Sequence, residues 1–185
     1  MPSVAQGEEC APMTASQDIT ALLAKQDITE ALHDYCRATD RGDEAGLRAC
    51  FHPEATVKMG AFDGLGADYI TNRILPLRAS FLYEAHFITN ISVKLAGDRA
   101  ASEAYFLARH IWKDAASGAI RTRLTEGRYL DSWEKRDSTW RISKRLGLMP
   151  MVQETDLVGV ANVPDGADGW APHDSVYALF ASLTA

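Results

Sequence analysis

Asp40 and His86 are two side chains that can work together as an acid–base pair. Asp40 follows a predicted helix, and His86 opens a run of alternating residues typical of a strand. Histidine titrates near neutral pH, and a carboxylate within reach fixes its tautomer and increases its basicity. Such a pair could abstract a proton. Each residue also has a plainer interpretation, Asp40 as a turn aspartate bonded to nearby backbone and His86 as a packing residue.

Three further residues extend this candidate site. Tyr35 lies five positions before the aspartate, on or beside the buried face of the helix, where a phenol can donate a hydrogen bond from an apolar wall. Arg145 lies on a late strand, and a period of two does not say whether it faces solvent or the interior. His110 shares a strand face with Phe106 and Trp112, where a pocket and a core look alike.

The sequence lacks the common motifs for metals, nucleotides and covalent catalysis. Its five histidines form no HxH or HExxH pattern, and it has no GxGxxG, phosphate loop or GxSxG. We interpret Cys36 and Cys50 as small helix fillers and Cys10 as a tail residue, because the three form no CxxC. We therefore expect catalysis by side chains alone, with no metal and no cofactor.

Periodicity predicts the helices that position these residues. One amphipathic helix ends near residues 41–42, and its buried stripe consists of Ile28, Leu32, Tyr35 and Thr39. Asp43 can cap a second, short helix that extends through residue 51. A short strand is predicted over residues 55–59 and a third helix over about residues 67–82, despite Pro76.

The second half of the chain changes to a period of two. Alternating runs over residues 86–95 and 101–112 predict a hairpin, and two further strands are expected over about residues 120–135 and 139–154. Helices followed by an antiparallel meander predict an α+β domain.

Three regions follow from these patterns. Residues 1–15 are predicted to be a disordered tail, residues 16–154 the folded domain and residues 155–185 a C-terminal extension. The extension is rich in Gly, Pro and Asp as far as His173. We expect it to close a cavity or to contact a neighbouring subunit.

Length and charge limit the classes of partner. The 185 residues suit one domain, and a net charge of −6 does not favour nucleic acid as a partner. The apolar runs are far shorter than the roughly 18 residues needed to cross a bilayer, so no membrane partner is expected. Residues 1–15 have no Lys, no Arg and no apolar core, which predicts no export. An odd number of cysteines is typical of the reducing cytoplasm.

Four signatures are spread over about residues 18–151. They are Tyr-x4-Asp-Arg-Gly-Asp, Leu-x3-Phe-His-Pro-Glu-Ala, His-Phe-x-Thr-Asn and Trp-Arg-Ile-x-Lys-Arg. Together they resemble the SnoaL-like branch of the nuclear-transport-factor-two-like superfamily. The resemblance implies a cone-shaped, strongly curved and mainly antiparallel sheet, packed against three N-terminal helices around an apolar cavity. It also implies a homo-oligomer, with a trimer favoured over a dimer.

Within that superfamily the chain is similar to lyases of the scytalone dehydratase, bile-acid dehydratase and hexachlorocyclohexane dehydrochlorinase type. The resemblance implies that Asp40 and His86 are the Asp–His pair of those enzymes, and that Tyr35 and Arg145 match their catalytic tyrosine and last-strand arginine. The dehydrochlorinase has a lysine in place of Tyr35, which makes dehalogenation less favoured. His110 lies near the second histidine of scytalone dehydratase, and its role stays open.

The chemistry implied is proton abstraction followed by loss of a leaving group. His86 takes the proton, Asp40 stabilises the imidazolium, Tyr35 donates to the leaving oxygen or developing enolate, and Arg145 supplies positive potential. The expected substrate is a small, hydrophobic, ring-bearing compound, a hydroxylated aromatic or polycyclic one, that loses water or formaldehyde, as in the catabolism of aromatic compounds. The residues expected to contact it are Phe87, Asn90, Phe106, His110, Trp112 and Met149.

Other functions remain open for the same fold. An isomerase or cyclase would need similar residues and would release no second product. A non-catalytic subunit, similar to the small subunits of ring-hydroxylating dioxygenases, would have no polar pair at the centre of its cavity. A free-standing binding module is also possible, because the fold alone does not decide function.

Overall fold

The computed structural model describes residues 15–158 and 169–183. Its elements are α1 (Ala15–Arg41), α2 (Glu44–Ala49), β1 (Phe51–Met59), β2 (Phe62–Leu65), α3 (Gly66–Tyr69), a π-helical turn (Ile70–Ile74), α4 (Leu75–Ser80), β3 (Tyr83–Ala96), β4 (Arg99–Lys113), β5 (Ile120–Arg136), β6 (Thr139–Asp156) and α5 (Ser175–Ala181). The predicted tail, with Cys10, lies almost entirely outside the described residues, as does the 159–168 part of the extension.

The strands form one curved sheet in the order β2-β1-β6-β5-β4-β3. β1 and β6 are parallel, and each of the other neighbouring pairs is antiparallel. The predicted α+β class and mainly antiparallel sheet are thus confirmed. The parallel pairing of β1 with β6 joins the two halves of the chain, because it ties the strand after the first helices to the last strand of the meander.

Helix α1 packs against β3 and β6 through the predicted stripe. All four stripe residues are buried, which confirms the face chosen from periodicity: Ile28, Leu32, Tyr35 and Thr39. The helix ends where Gly42 adopts a φ of +62°, a conformation that costs glycine little. The amides of Gly42 and Asp43 donate to Thr39 and Ala38 carbonyls, so the turn closes with the bonding pattern of a Schellman motif.

The remaining helices are close to their predicted positions. Asp43 caps α2 by accepting a hydrogen bond from the Gly46 amide at 2.9 Å. α2 stops before the predicted end, because Phe51 already belongs to β1. The third helical segment spans residues 66–80 and contains the π-helical turn ahead of Pro76. None of the helices in the two described ranges is long and apolar enough to cross a bilayer.

One irregularity in β3 changes which residues face the core. The pairing of β3 with β4 shifts between Thr89 and Ser92, and Asn90 there has a φ of +48°. Before this bulge the even-numbered residues face the interior, and after it Ile91 and Val93 pack against the core. A strict period of two across the whole strand therefore assigns one of its halves to the wrong face.

Two cysteines fall within the described residues, and both are buried and reduced. Burial raises the pKa of Cys36 and of Cys50 to about 12. Both thiols therefore stay protonated at neutral pH, which fits packing residues better than nucleophiles.

Candidate active site

A cavity of about 340 Å³ lies between the helices and the concave side of the sheet. Its wall is built from α1, the third helical segment and all six strands, of which β2 contributes only Phe62. Five residues expected from the sequence line it: Tyr35, His86, Phe106, His110 and Met149. Sequence reasoning missed other lining residues, among them Met59, Phe62, Tyr69, Arg73, Phe81, Glu84, Arg123 and Tyr129.

Asp40 and His86 are hydrogen-bonded to each other. The Asp40 Oδ1 atom is 2.7 Å from His86 Nδ1, and Asp40 Oδ2 accepts the His86 backbone amide at 3.1 Å. The histidine side chain is 8% exposed and the aspartate side chain 17%. An ionised carboxylate can only accept, so Nδ1 carries the proton and the neutral imidazole keeps its lone pair on Nε2. The geometry is that of an oriented base.

The end of α1 places Asp40 for this contact. Asp40 lies in the last turn of the helix, rather than just past it as the sequence suggested. The buried Arg78 donates from Nε to the Asp40 backbone carbonyl and also lies 3.8 Å from a Glu84 oxygen. Its positive charge opposes the partial negative charge that gathers at a helix C-terminus, where a carboxylate is otherwise disfavoured.

Tyr35 presents its ring to the cavity from beside the aspartate. The residue is 2% exposed, and its ring makes edge contacts with Phe51 and Tyr129. Burial raises the pKa of the Tyr35 phenol above its usual value of 10.0, and the nearby Arg145 guanidinium offsets part of this effect. The phenol is therefore protonated at neutral pH and can donate a hydrogen bond.

Arg145, whose orientation the sequence left open, faces the interior and does not line the cavity. It is fully buried in a bidentate pair with Asp131, with Nε and Nη2 each 2.8 Å from a carboxylate oxygen. Its guanidinium lies 4.0 Å from the ring centre of Tyr35 and 4.1 Å from that of Tyr129. The two rings separate the charge from the cavity, so Arg145 acts on a bound molecule only through the tyrosines.

Three other residues expected to contact the substrate do not line the cavity. Phe87 follows His86 on a strand, so its side chain points to the opposite face and is 53% exposed. Asn90 is exposed at the β3 bulge. Trp112 lies beyond the end of the cavity, where Phe81 contacts it and the guanidinium groups of Arg121 and Arg123 cover its ring.

A second buried carboxylate–histidine pair shares the wall. Glu84 Oε1 is 3.0 Å from His110 Nε2, and the His110 ring meets the His86 ring edge-on at 5.7 Å. Glu84 lies two residues before His86 and directly opposite His110 in the β3–β4 register. The sequence held a signal for Glu84. It lies two positions before His86 on a strand, so both side chains must share a face.

Glu84, His86 and His110 are also the residues best suited to hold a metal. Their ligand atoms lie within 4.8 Å of one another, and two imidazoles with one carboxylate form a donor set suited to zinc or iron. Asp40 would then orient His86, as second carboxylates do for ligating histidines. In the structure Glu84 is paired with His110 and Arg78. Its carboxylate would have to leave the His110 ring nitrogen for both groups to bind the same ion.

The described part of the C-terminal extension packs behind the Asp40 turn and does not line the cavity. Ala171 donates its amide to the Arg41 carbonyl, and Asp174 forms an ion pair with Arg41 at 3.2 Å. Trp170 stacks on the Arg78 guanidinium at 3.7 Å, and the Tyr177 hydroxyl donates to Asp43 at 2.9 Å. This clasp, residues 169–177, therefore supports the aspartate from the side away from the ligand.

Comparison with known families identifies the domain. The family model described as a SnoaL-like domain matches residues 20–146. The chain belongs to the SnoaL-like family. The match contains Asp40, His86 and His110, and its end falls within β6. No curated protein matches the sequence.

Solved structures show the same fold for this SnoaL-like domain. One is a candidate scytalone dehydratase from Novosphingobium aromaticivorans, with 20% identity and a TM-score of 0.66 over 78% of this chain and 99% of that one. Another is the hexachlorocyclohexane dehydrochlorinase LinA-type3 from Novosphingobium barchaimii, with 21% identity and a TM-score of 0.63 over 80% and 99%. A third is a nuclear-transport-factor-2-like protein from Salmonella enterica, with 20% identity and a TM-score of 0.62 over 76% and 96%.

Proposed function

We propose that this SnoaL-like protein is a lyase that removes water, or formaldehyde, from a ring-bearing hydroxylated compound by acid–base catalysis with its own side chains. The observation that carries the proposal is His86, which lines a largely apolar cavity and is hydrogen-bonded from behind by Asp40. The neighbours described as a dehydrochlorinase and a candidate dehydratase are lyase-type enzymes on the same fold, and they support this class of reaction.

The steps follow from the placement of three groups. His86 Nε2 takes a proton from a carbon made acidic by a carbonyl or aromatic system, or from a hydroxyl group. Asp40 holds the Nδ1 proton and stabilises the imidazolium. Tyr35 donates to the leaving oxygen or to the developing enolate, and Arg145 behind its ring stabilises negative charge on the phenol oxygen. When water is lost, the proton on Nε2 passes to the departing hydroxyl. When formaldehyde is lost, His86 takes the hydroxyl proton, the carbon–carbon bond breaks, and the proton returns from Nε2 to the carbon that held the hydroxymethyl group.

Cavity size limits the substrate. A volume of about 340 Å³ is at the small end of the range for ligand pockets, which runs from roughly 300 to 1,000 Å³. The stacked rings of Phe106 and Tyr129, with centroids 4.3 Å apart, give one wall a flat aromatic surface. A compact aromatic or fused-ring compound with one hydroxyl group near the histidine fits these features, and His110 contributes a further ring to the same wall.

A product screen tests the proposal. Hydroxylated and hydroxymethylated aromatic compounds are incubated with the protein, and the products are analysed by mass spectrometry together with a colour assay for formaldehyde. Loss of one water or one formaldehyde per turnover supports a lyase. A product of unchanged mass would instead favour the isomerase or cyclase, and compounds that bind without turnover would favour a binding module.

Replacing Tyr35 by Phe is expected to reduce kcat by about 100-fold with little change in KM, because one donor to the developing charge is lost. The replacement keeps the ring contacts with Phe51 and Tyr129. Steady-state kinetics on a compound from the screen measure the effect, and Tyr105→Phe on the exposed face of β4 serves as the control. An unchanged kcat would remove Tyr35 from the mechanism.

Assembly and compartment remain predictions. A homo-oligomer, a trimer or a dimer, is supported by apolar side chains that are exposed in register on the convex face of the sheet: Phe87, Tyr105, Leu107 and Met151. Glu126 lies between Leu107 and Met151 in this row, and exposed apolar side chains that cluster around a polar residue in this way often mark a contact between proteins. The cytoplasm remains the predicted compartment, on the basis of the cysteine count.

A further inference from the structure

Two arginines reach the cavity, and their surroundings differ. Arg123 is held by Glu154, with its Nη2 and Nε atoms 2.6 and 2.7 Å from Glu154 Oε1. Arg73 makes no hydrogen bond or ion pair with any residue in the ranges 15–158 and 169–183, and its side chain is exposed at the cavity mouth. The cavity carboxylate, Glu84, already has Arg78 and His110 as partners, with the Arg78 Nε atom at 3.8 Å and the His110 Nε2 atom at 3.0 Å. Arg73 is therefore a lining cation without a counter-ion among the described residues.

The π-helical turn places Arg73 at this position. Ile70 and Ile74 anchor the turn in the core, and Tyr69 and Arg73, one residue before each of them, line the cavity. Burial raises the pKa of Tyr69, and the Arg73 charge partly lowers it, so the guanidinium and the phenol influence each other. Single π turns inside helices are frequent at functional sites, where the extra residue changes the direction of a side chain.

We propose that the ligand of this cavity carries a carboxylate or a similar anionic group, which Arg73 binds at the mouth while the ring lies inside. A guanidinium fork matches a carboxylate in shape, and its weak hydration favours such pairing. A guanidinium without a counter-ion among the described residues, placed on the cavity wall, would attract an anionic ligand to that opening. The proposal rests on the cavity being the substrate site, and it narrows the substrate to aromatic acids.

A pair of fluorescent probes tests this proposal without any turnover. 8-Anilinonaphthalene-1-sulfonate and N-phenyl-1-naphthylamine share their rings and differ by the sulfonate. The expected result is that Arg73→Gln weakens binding of the sulfonate probe by about tenfold and changes binding of the neutral probe by less than about twofold. Arg73→Lys should recover part of the affinity, because it restores the charge without the fork.

Two controls locate the effect. Arg99→Gln removes an exposed arginine from the start of β4, at the end of the strand away from the lining residues, and should not change either affinity. Ala61→Trp fills the exposed mouth between β1 and β2 and should weaken both probes. Sulfonate binding that survives Ala61→Trp, or equal losses of both probes in Arg73→Gln, would overturn the proposal. An Asp40→Asn variant should still bind the sulfonate probe more tightly than the neutral probe. Failure of the lyase mechanism would therefore leave this preference intact, whereas failure of the anion site would abolish it.

Discussion

Replacing His86 by Gln is expected to lower kcat/KM by about 10² to 10⁴-fold on any substrate of the lyase reaction, because the general base is lost. The amide of glutamine can still accept from or donate to its neighbours, but it cannot take up a proton at neutral pH. Steady-state kinetics on a compound from the product screen measure the loss. His33→Gln on the exposed face of α1 is the matched control and should retain full activity.

The partner aspartate gives the same prediction a second test. Asp40→Asn should lose nearly as much activity, since the asparagine NH₂ group can donate to Nδ1 and so moves the histidine proton to Nε2. The double variant should be hardly worse than His86→Gln alone, because the two residues act as a unit. Losses that multiply in the double variant, or normal turnover in Asp40→Asn, would rule out the coupled pair.

Breaking the buried Arg145–Asp131 pair is expected to have the largest effect on stability. Asp131→Asn should reduce the free energy of unfolding by about 3–5 kcal/mol, because it leaves the arginine charge buried without its counter-ion. Both side chains are fully buried, so water cannot replace the lost partner. Urea unfolding followed by circular dichroism measures the change.

Two comparisons separate charge from packing in this pair. Asp63→Asn removes a partner of the exposed Lys58–Asp63 pair and should cost at most about 1 kcal/mol. Replacing Arg145 by Met and Asp131 by Leu together should recover most of the stability lost in Asp131→Asn, because neither charge is then left alone. A loss below about 1 kcal/mol in Asp131→Asn would show that the pair does not stabilise the fold.

The sequence predicted those features that depend on local pattern. Residues Ile28 and Leu32 repeat at helical spacing and are buried, and Asp43 caps α2 as its position suggested. The four long strands were found within a few residues of their ends, because alternation and turn residues define them. The pair of Asp40 and His86 came from combining two weak signals with a family resemblance, and the structure brings them within hydrogen-bonding distance.

The features that the sequence did not predict depend on contacts between distant elements. A period of two could not say which way Arg145 points, and only the β5–β6 register shows Asp131 directly opposite it. Phe87 was expected to line the cavity, although it alternates with His86 along the strand, and the side chains of neighbouring residues point to opposite faces. Strand β2 has only four residues, one of them glycine, and it was not predicted because so short a run shows no clear alternation.

The clasp formed by residues 169–177 connects the C-terminal segment to the end of α1. Amides in the last turn of α1 can exchange with solvent only when that turn opens, and the turn is held by Ala171, Asp174 and Tyr177 as well as by its own hydrogen bonds. The C-terminal segment and the end of α1 should then open as one cooperative unit. The alignment of Asp40 with His86 should therefore depend on docking of residues 169–177, which lie away from the cavity.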